Sequence, residues 1–246
     1  VLACGVEGKG RLPEPAAIVA VLENFFRKKQ TLAGKKILVT AGGTVEPLDP
    51  VRYLGNRSTG RMGYAVAEAA ALRGADVVLV SGPTALQVPT GVRHIPVESA
   101  RDMHDAVLKE FESADAVVKA AAVADYRPAR VAVDKIKKKD AELQLTLVRN
   151  PDILKELGEK KQHQILMGFA AETQNVEAYA KGKLEKKNLD FIVANDVSKK
   201  DAGFAVDTNC IIVFSREGSK ESYPLMKKRE LADILLDKIE EKLSVR

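Results

Sequence analysis

The 246-residue sequence has no tryptophan, only two cysteines and no apolar run as long as the ~20 residues that a membrane-spanning helix needs. Cys4 and Cys210 are far apart and neither belongs to a CxxC pair, which argues against a disulfide scaffold and against a structural zinc site. We therefore expect a reducing, cytoplasmic compartment and no membrane partner. The sequence starts at Val1 without a basic-then-apolar leader, so we expect a fragment or a processed chain rather than a secreted precursor.

The chain is basic but has no arginine-rich block. Its formal net charge is +5, and the lysines concentrate in short clusters at 135–139 and 181–187. Short lysine clusters in a chain without tryptophan suit a small polyanion better than a nucleic-acid duplex, so nucleic acid is not an expected partner. The content of 46% hydrophobic and 30% charged residues is ordinary for a folded domain.

Short apolar segments alternate with segments of helical periodicity along most of the chain. The predicted strands cover residues 36–40, 76–81, 92–96, 116–122, 165–170 and 191–194, and the predicted helices cover residues 17–28, 63–73, 101–112, the stretch after Pro151, 176–187 and 228–243. Strands buried on both faces and separated by helices are typical of a parallel sheet. We therefore predict an α/β fold with a Rossmann-like, doubly wound, mostly parallel sheet.

Two apolar segments, 143–148 and 210–214, do not fit this alternation. We interpret them as strands of a small inserted antiparallel subdomain. Such a subdomain is a candidate dimerisation element, so the expected assembly is a homodimer.

The loop after the first strand contains Gly42 and Gly43. Adjacent glycines allow a backbone to approach a phosphate closely, although a tight turn without a ligand explains them equally well. The loop does not match GxGxxG, the second strand ends in Ser81 rather than in an acidic residue, and no GxxxxGK[ST] motif is present. These absences weaken the common dinucleotide and P-loop assignments.

Residues 49–63 place two hydroxyls, an amide, three arginines and three glycines directly before a helix, which predicts an anion site. Ser58 or Thr59 is also a candidate cap for that helix. Small residues at 120–124 leave room for a flat base, and Asp125 is placed to meet a ribose hydroxyl, a metal or a substrate amide. A small-residue packing turn is the alternative.

Three further features have a structural and a functional interpretation. The lysines of 135–139 form either a solvated loop or a mobile loop that closes over a phosphate site. Lys183 and Lys187 are four residues apart and therefore share one helix face. Phe169 ends another strand, where its ring can stack on a base.

Taken together, six segments resemble the phosphopantothenoylcysteine synthetase family, in family order over about residues 34–240. The segments read TAGGTVEPLDPVRYLGNRSTGRMG, AAAVADYRP, KIKK, RNPDIL, GFAAET and NLDFIVANDV. The resemblance implies a ligase domain over residues 34–246. It also implies that residues 1–33 are a linker and the C-terminal remnant of a fused decarboxylase, with Cys4 at the position of its catalytic cysteine. FMN would belong to the absent decarboxylase half.

The resemblance implies an acid–amino-acid ligase with two steps. The carboxylate of 4′-phosphopantothenate attacks the α-phosphate of CTP, which is accompanied by Mg²⁺, to give an acyl-cytidylate and pyrophosphate. The amine of cysteine then attacks the activated carbonyl, which releases CMP and forms the amide.

The resemblance also assigns residue roles. It implies that Asn56 holds the acyl intermediate, that Arg52 assists there, and that Lys135 is a flap lysine that stabilises charge during cytidylate formation. Arg57 and Thr59 depart from the family pattern beside Asn56, and the resemblance assigns no metal ligand. The implied nucleotide-binding residues are Gly42, Gly43, Ala121, Asp125, Lys135, Pro151, Asp152, Ile153, Leu154, Phe169, Lys183 and Lys187.

Two other functions remain open from the residues themselves. One is a nicotinamide-dependent dehydrogenase on the same kind of sheet, which rests on fold analogy alone. The other is a nucleotide-binding module without catalysis.

Overall fold

The main sheet has eight strands, and six neighbouring strands in it pair in parallel. The computed structural model describes residues 13–19, 22, 30–138, 142–172, 176–196, 203 and 206–245. The strands in chain order are β1 (Lys36–Ala41), β2 (Val45–Pro47), β3 (Tyr53–Gly55), β4 (Asp76–Ser81), β5 (Val92–Pro96), β6 (Ala116–Lys119), β7 (Tyr126–Pro128), β8 (Leu147–Arg149), β9 (Ile165–Glu172), β10 (Phe191–Asp196), β11 (Thr208–Ser215) and β12 (Lys220–Lys227). The helices are α1 (Arg61–Leu72), α2 (Ala100–Phe111), α3 (Ile153–Lys160), α4 (Val176–Lys186) and α5 (Lys228–Ser244).

The order of strands in the main sheet is β12-β11-β10-β9-β6-β1-β4-β5. The chain therefore runs from β1 outward to β4 and β5, and then returns to place β6 on the other side of β1. This reversal is the defining feature of a doubly wound sheet, and it opens a crevice beyond the carboxyl ends of β1 and β6. The predicted Rossmann-like, mostly parallel sheet is confirmed.

Alternate residues of the central strands enter two separate cores. In β1, Ile37 and Val39 face the core that α1 and α5 cover, whereas Leu38 faces the core that α2, α3 and α4 cover. The same alternation occurs in β4, β6, β9 and β10. Because both faces of these strands are buried, their sequences are continuously apolar, and this is the property that made them predictable.

The helices begin in different ways. Ser99 caps α2 in a reciprocal capping box with Asp102, and Asp152 caps α3 by accepting from the Lys155 amide at 3.1 Å. The prediction that Ser58 or Thr59 caps α1 is wrong. The N-cap of α1 is Gly60, which has φ 81° and makes no side-chain cap, because this helix start packs too closely on β1 for a side chain.

Two strand predictions need correction. Residues 210–214 do not belong to a small inserted sheet, because they lie in β11, which pairs with β10 and β12 in the main sheet. In the segment 143–148, only the last two residues are in a strand, β8, which pairs with β7. The small antiparallel sheets are therefore β2–β3 and β7–β8.

Part of the amino-terminal prediction lies outside the described residues. Residues 15–19 and 22 are helical, as expected for the helix predicted over residues 17–28. The remaining positions of that helix, and Cys4, fall among residues that the structure does not describe. The proposed boundary between residues 33 and 34 stays a prediction. Within the described part of the chain, every helix is too short or too polar to cross a membrane.

Candidate functional site

The loops that follow β1 and β6 are joined by backbone hydrogen bonds. Gly43 and Ala122 form an isolated parallel bridge. The Ala122 amide donates to the Gly42 carbonyl at 2.8 Å, and the Thr44 amide donates to the Ala122 carbonyl at 3.2 Å. The two loops that the sequence singled out separately therefore form one floor, at the crevice where the strand order reverses.

The glycines of this floor are required by the protein's own backbone. Gly42 has φ 76°, and a Cβ there would lie 3.0 Å from the carbonyl oxygen of Gly82. A Cβ on Gly43 would lie 3.1 Å from the carbonyl oxygen of Asn56, and one on Gly63 would lie 2.6 Å from Ala41 Cβ. Close packing therefore accounts for Gly42 and Gly43, and their contact with a nucleotide stays a prediction.

Asn56 lies at the mouth of the crevice. Its exposed side chain donates from Nδ2 to the Ala122 carbonyl at 3.0 Å. The neighbouring Ala121 amide donates to Thr40 Oγ1 at 3.2 Å. Its acceptor is therefore a side chain rather than a backbone carbonyl of β1, and the regular strand pairing stops here. This contact ends β6 at Lys119 rather than at the predicted residue 122. The structure thus brings Asn56 beside Ala121, as the predicted site requires.

Asn150 fastens the loop after β6 to the start of α3. Its side-chain amide donates to the Ala124 carbonyl at 2.9 Å, and its backbone amide donates to the Asp125 carbonyl at 2.8 Å. Asp125, whose side chain is exposed, therefore lies next to the segment that begins with Pro151.

The start of α3 presents backbone donors rather than side chains to this site. Ile153 and Leu154 are buried, because their side chains pack into the core that α2, α3 and α4 cover. The first amides of a helix have no partner within it, so those of Ile153 and Leu154 suit an anionic group. The predicted role of this segment is consistent with its geometry.

A cluster of charges surrounds the start of α3. Lys187 Nζ lies 2.9 Å from Asp152 Oδ2, and both interact electrostatically with Lys119 at the end of β6. Burial, followed by repulsion from Lys187, lowers the pKa of Lys119 to about 8, and Lys183 adds to that repulsion. Lys183 and Lys187 therefore lie near Lys119 and the start of α3, and their contact with a nucleotide stays a prediction. Lys119 is an additional member.

Phe169 lies on the opposite face of the sheet from this cluster. It packs against the core under α1 and α5, and it lines a cavity of about 60 Å³ at the start of α1. Asn195, at the end of β10, lines the same cavity, and its buried Oδ1 accepts no hydrogen bond from the residues that the structure describes. A buried acceptor without a partner is costly, which marks the cavity as a candidate subsite. The sheet itself therefore lies between Phe169 and the helix that carries Lys183 and Lys187.

Arg52 and Lys135 are connected through Asp49. Arg52 donates from Nε and Nη2 to Asp49 Oδ2 at 3.0 and 2.6 Å, and also from Nη2 to the carbonyl of Ile136 at 2.8 Å. Lys135 is exposed and precedes Ile136 directly. The structure therefore places Arg52 against the segment that carries Lys135.

The end of β4 does not resemble a nicotinamide site. Ser81 is buried, and its Oγ contacts His94 Nε2 at 2.8 Å and the hydroxyl of Tyr64 at 3.1 Å. An acidic side chain that would bind a ribose is absent at this position.

Four residues of the site were not found from the sequence. Lys119 is the one charged residue within the predicted strand 116–122, and this interruption was an available signal. Asp49 and Asn150 act through partners that are distant in sequence, and Asn195 is recognised only by the cavity that it lines, so none of the three carries a local signal of that kind.

Comparisons with known proteins agree with this geometry. Residues 32–243 match the family model described as the DNA/pantothenate metabolism flavoprotein C-terminal domain. The chain is 52% identical over 241 residues to the coenzyme A biosynthesis bifunctional protein CoaBC of Bacillus subtilis (strain 168), covering 97% of this chain and 59% of that relative. The chain thus spans about three-fifths of the length of this curated relative.

Solved structures share the fold. The crystal structure of the C-terminal domain of a coenzyme A biosynthesis bifunctional protein CoaBC is 46% identical, with a TM-score of 0.77, and the match covers 88% of this chain and all of that one. A Cab2 variant complexed with phosphopantothenate-cysteine is only 16% identical but has a TM-score of 0.69 over 95% of this chain and 96% of that one, which indicates the same fold. On the family match, this chain belongs to the DNA/pantothenate metabolism flavoprotein C-terminal domain family.

Proposed function

We propose that this chain ligates 4′-phosphopantothenate to L-cysteine with CTP through an acyl-cytidylate. The observation that supports this most directly is the junction of two loops at the switch point, where Asn56 Nδ2 reaches the Ala122 carbonyl at 3.0 Å. The 52% identity to a coenzyme A biosynthesis protein supports the same reaction.

In the first step, a carboxylate oxygen of 4′-phosphopantothenate attacks the α-phosphorus of CTP and displaces pyrophosphate. Negative charge increases around the transferred group, so cations and backbone amides fixed near it lower the barrier. We assign this environment to the backbone amides at the start of α3, together with Lys187 and Lys119. Lys135 supplies a further positive charge from its exposed segment.

Mg²⁺ would accompany the triphosphate and neutralise part of its charge. The described residues hold no group of three His, Cys, Asp or Glu side chains that could bind a metal. On this proposal the ion is held mainly by phosphate oxygens and water, as is usual for Mg²⁺. We assign no protein ligand to it.

In the second step, the cysteine amine attacks the acyl carbonyl carbon, the bond to CMP breaks, and the amine gives up a proton. On this proposal Asn56 holds the acyl group while the amine approaches, and the hydrogen bond from its side chain to the Ala122 carbonyl at the crevice mouth supports this role. Arg52 assists in orienting this loop. The FMN-dependent decarboxylation belongs, on this proposal, to the remaining two-fifths of the longer relatives.

We also propose that the chain forms a homodimer through its small antiparallel sheets. Large apolar side chains are exposed on and beside them, including Tyr53 at 62% exposure, Val133 at 90% and Leu147 at 43%. Grouped apolar exposure of this kind is typical of an interface. Sedimentation at micromolar concentration tests this, and a monomer would exclude it.

The ligase proposal is tested by pyrophosphate release from CTP, Mg²⁺ and 4′-phosphopantothenate, with and without cysteine. We expect about one pyrophosphate per site without cysteine and continuous turnover with it. Asn56→Asp should keep the single pyrophosphate and lose turnover, whereas Lys135→Gln should slow the single release. Lys138→Gln, in the same lysine cluster, is the matched control. Absence of pyrophosphate with every nucleotide would exclude the ligase.

A further inference from the structure

Asp49 is a buried carboxylate that accepts five hydrogen bonds. Its Oδ1 accepts from the backbone amides of Val51 and Arg52, both at 2.9 Å. Its Oδ2 accepts from Arg52 Nε and Nη2 and from the Ile136 amide at 3.1 Å. The side chain has no exposed surface, and the hydrogen bond from the Arg52 guanidinium outweighs burial and holds the pKa of Asp49 well below its usual range.

The two oxygens of Asp49 have separate structural roles. The contacts of Oδ1 are local and close the turn between β2 and β3, as an Asp side chain commonly does. The contact of Oδ2 with Ile136 joins residues that are 87 positions apart. A turn does not need this second set of contacts, so they require another explanation.

The peptide groups of Ile136 are held on both sides. The Ile136 amide donates to Asp49, and the Ile136 carbonyl accepts from Arg52 at 2.8 Å. A third contact, from the Ala132 amide to the Leu48 carbonyl at 2.9 Å, fastens the start of the same segment. Lys135 lies between these fixed points, so its backbone is immobilised while its side chain stays exposed.

The turn that holds this segment is connected rigidly to the crevice. The three-residue strands β2 and β3 are paired over their whole length, from Val45 with Gly55 to Pro47 with Tyr53. At the crevice end of this hairpin lie Gly43 and Asn56. The hairpin therefore acts as a spacer of about 10 Å between the floor of the site and the segment of Lys135.

We propose that Asp49 is a positioning residue that, together with Arg52, fixes the Ile136 backbone and so sets where Lys135 acts in acyl-cytidylate formation. This inference rests on the proposed function, because it assigns Asp49 to the step that Lys135 serves. The contacts all lie within one chain, so the role is the same whichever protomer's crevice receives the lysine.

The test is a double-mutant cycle on the first step, measured as single-turnover pyrophosphate release without cysteine. Asp49→Asn replaces one acceptor oxygen by a donor and removes the charge. We expect release to slow roughly ten- to a hundredfold, the loss typical of a hydrogen bond to a charged group, with little change in the KM for CTP. In a Lys135→Gln background, Asp49→Asn should slow release less than twofold, because both changes remove the same contribution.

Asp134→Asn, an exposed carboxylate in the same segment, is the control and should release pyrophosphate at the unmodified rate. If Asp49→Asn does not fold, Ile136→Pro removes the amide that Asp49 binds and leaves the Asp49–Arg52 pair intact. It should reproduce both the slowing and the lack of additivity.

The outcomes separate this inference from the proposed function. If Lys135→Gln is slow and Asp49→Asn slows release equally in both backgrounds, Asp49 acts independently of Lys135 and the inference is wrong. It is also wrong if Asp49→Asn, or Ile136→Pro in its place, matches the unmodified chain. If Lys135→Gln itself matches the unmodified chain, the role proposed for Lys135 is wrong and the inference falls with it.

Discussion

The two walls of the crevice between β1 and β6 differ in what holds them in place. The wall that follows β1 is held by close contacts between backbones, with glycine wherever two segments meet. A Cβ on Gly82 would lie 2.1 Å from the Gly43 carbonyl oxygen, and one on Gly63 would lie 2.9 Å from the Thr40 carbonyl oxygen. Distances of this kind leave no room for a side chain.

The wall that follows β6 contains charged side chains that interact with one another. Lys119 interacts there with Lys183 and Lys187 and with the carboxylates of Asp125 and Asp152, and Lys187 pairs with Asp152. Burial opposes the charged form of Asp152 and is the largest single influence on it. The hydrogen bonds from Lys187 and from the Lys155 amide, together with the positive charges of Lys187 and Lys119, outweigh burial and lower the pKa of Asp152. Three cations against two carboxylates leave a positive balance facing the crevice.

This difference indicates that the two walls have different roles in the site. Backbone contacts fix the shape of the site and respond little to pH or salt. Partly buried charges respond to both, and under the proposed function they set the affinity of the site for an anion. Substitutions in the first wall should therefore affect folding, and those in the second wall should affect binding and its pH dependence.

The largest effect is expected for Gly82→Ala. The new Cβ would meet backbone atoms, which cannot rotate away as a side chain can, so we expect the free energy of unfolding to fall by about 3 kcal/mol or more. Urea denaturation measures this. Gly182→Ala in α4 is the control: outside the backbone of its own helix, no atom of the described residues lies within 4 Å of the added Cβ, and removing a helical glycine should stabilise the chain by up to about 1 kcal/mol. If Gly82→Ala lowers the free energy of unfolding by less than about 0.5 kcal/mol, the backbone after β1 can move to accommodate a Cβ, and the close contacts do not fix its position.

The second prediction concerns Lys119→Met. The unfolded lysine keeps its proton up to about pH 10.5, whereas the folded one releases it near pH 8. The charged side chain therefore costs stability below about pH 8, and this cost is relieved as the pH rises from 8 towards 10.5. At pH 7, Lys119→Met should stabilise the unliganded chain by on the order of 2 kcal/mol.

The same substitution should weaken CTP binding about tenfold at pH 7, because under the proposed function it removes a half-buried positive charge that faces the triphosphate. The affinities of the two proteins should converge by pH 9, where the unmodified lysine is neutral. Calorimetric titration at both pH values measures this difference. Lys155→Met, on the exposed side of α3, should change neither quantity appreciably. If the affinity for CTP depends on pH equally in the two proteins, Lys119 does not contribute to CTP binding.

The comparison of the walls also explains which features the sequence could predict. Strands such as β1 and β4 were predicted closely, because residues buried on both faces form continuous apolar runs. The edge strand β12 was missed, since most of its residues are exposed and its sequence is polar. The short strands β2, β3 and β7 were missed for the same lack of a signal, as they are only three residues long.

Within the site, residues that directly follow a predicted strand were found from the sequence. Gly42, Gly43 and Asp125 belong to this group, because the carboxyl ends of parallel strands are known in advance to line a site. Asp49 and Asn150 were missed, since each acts by bridging two segments whose proximity appears only in the folded chain. Local sequence thus predicts which loops line the site, and tertiary structure determines what holds them together.

The smallest expected effect lies behind the charged wall, where α3 rests on α2. His104 contacts Glu156 through Nε2 and Asp105 through Nδ1, both at 2.8 Å. Burial opposes protonation of His104, but the hydrogen bonds to these two carboxylates outweigh it and raise its pKa. The contribution to stability is therefore fully present below about pH 6.5 and is lost as the pH rises through the higher folded value.

His104→Gln should lower the free energy of unfolding by less than about 1 kcal/mol at pH 6 and by almost nothing at pH 8.5. Thermal melts across this range measure the difference. Glu156→Gln should flatten the same part of the profile, and the double substitution should add little to either. Profiles that stay parallel to that of the unmodified chain would mean that α3 is held by packing alone, and that charge organises only the face of this wall that meets the crevice.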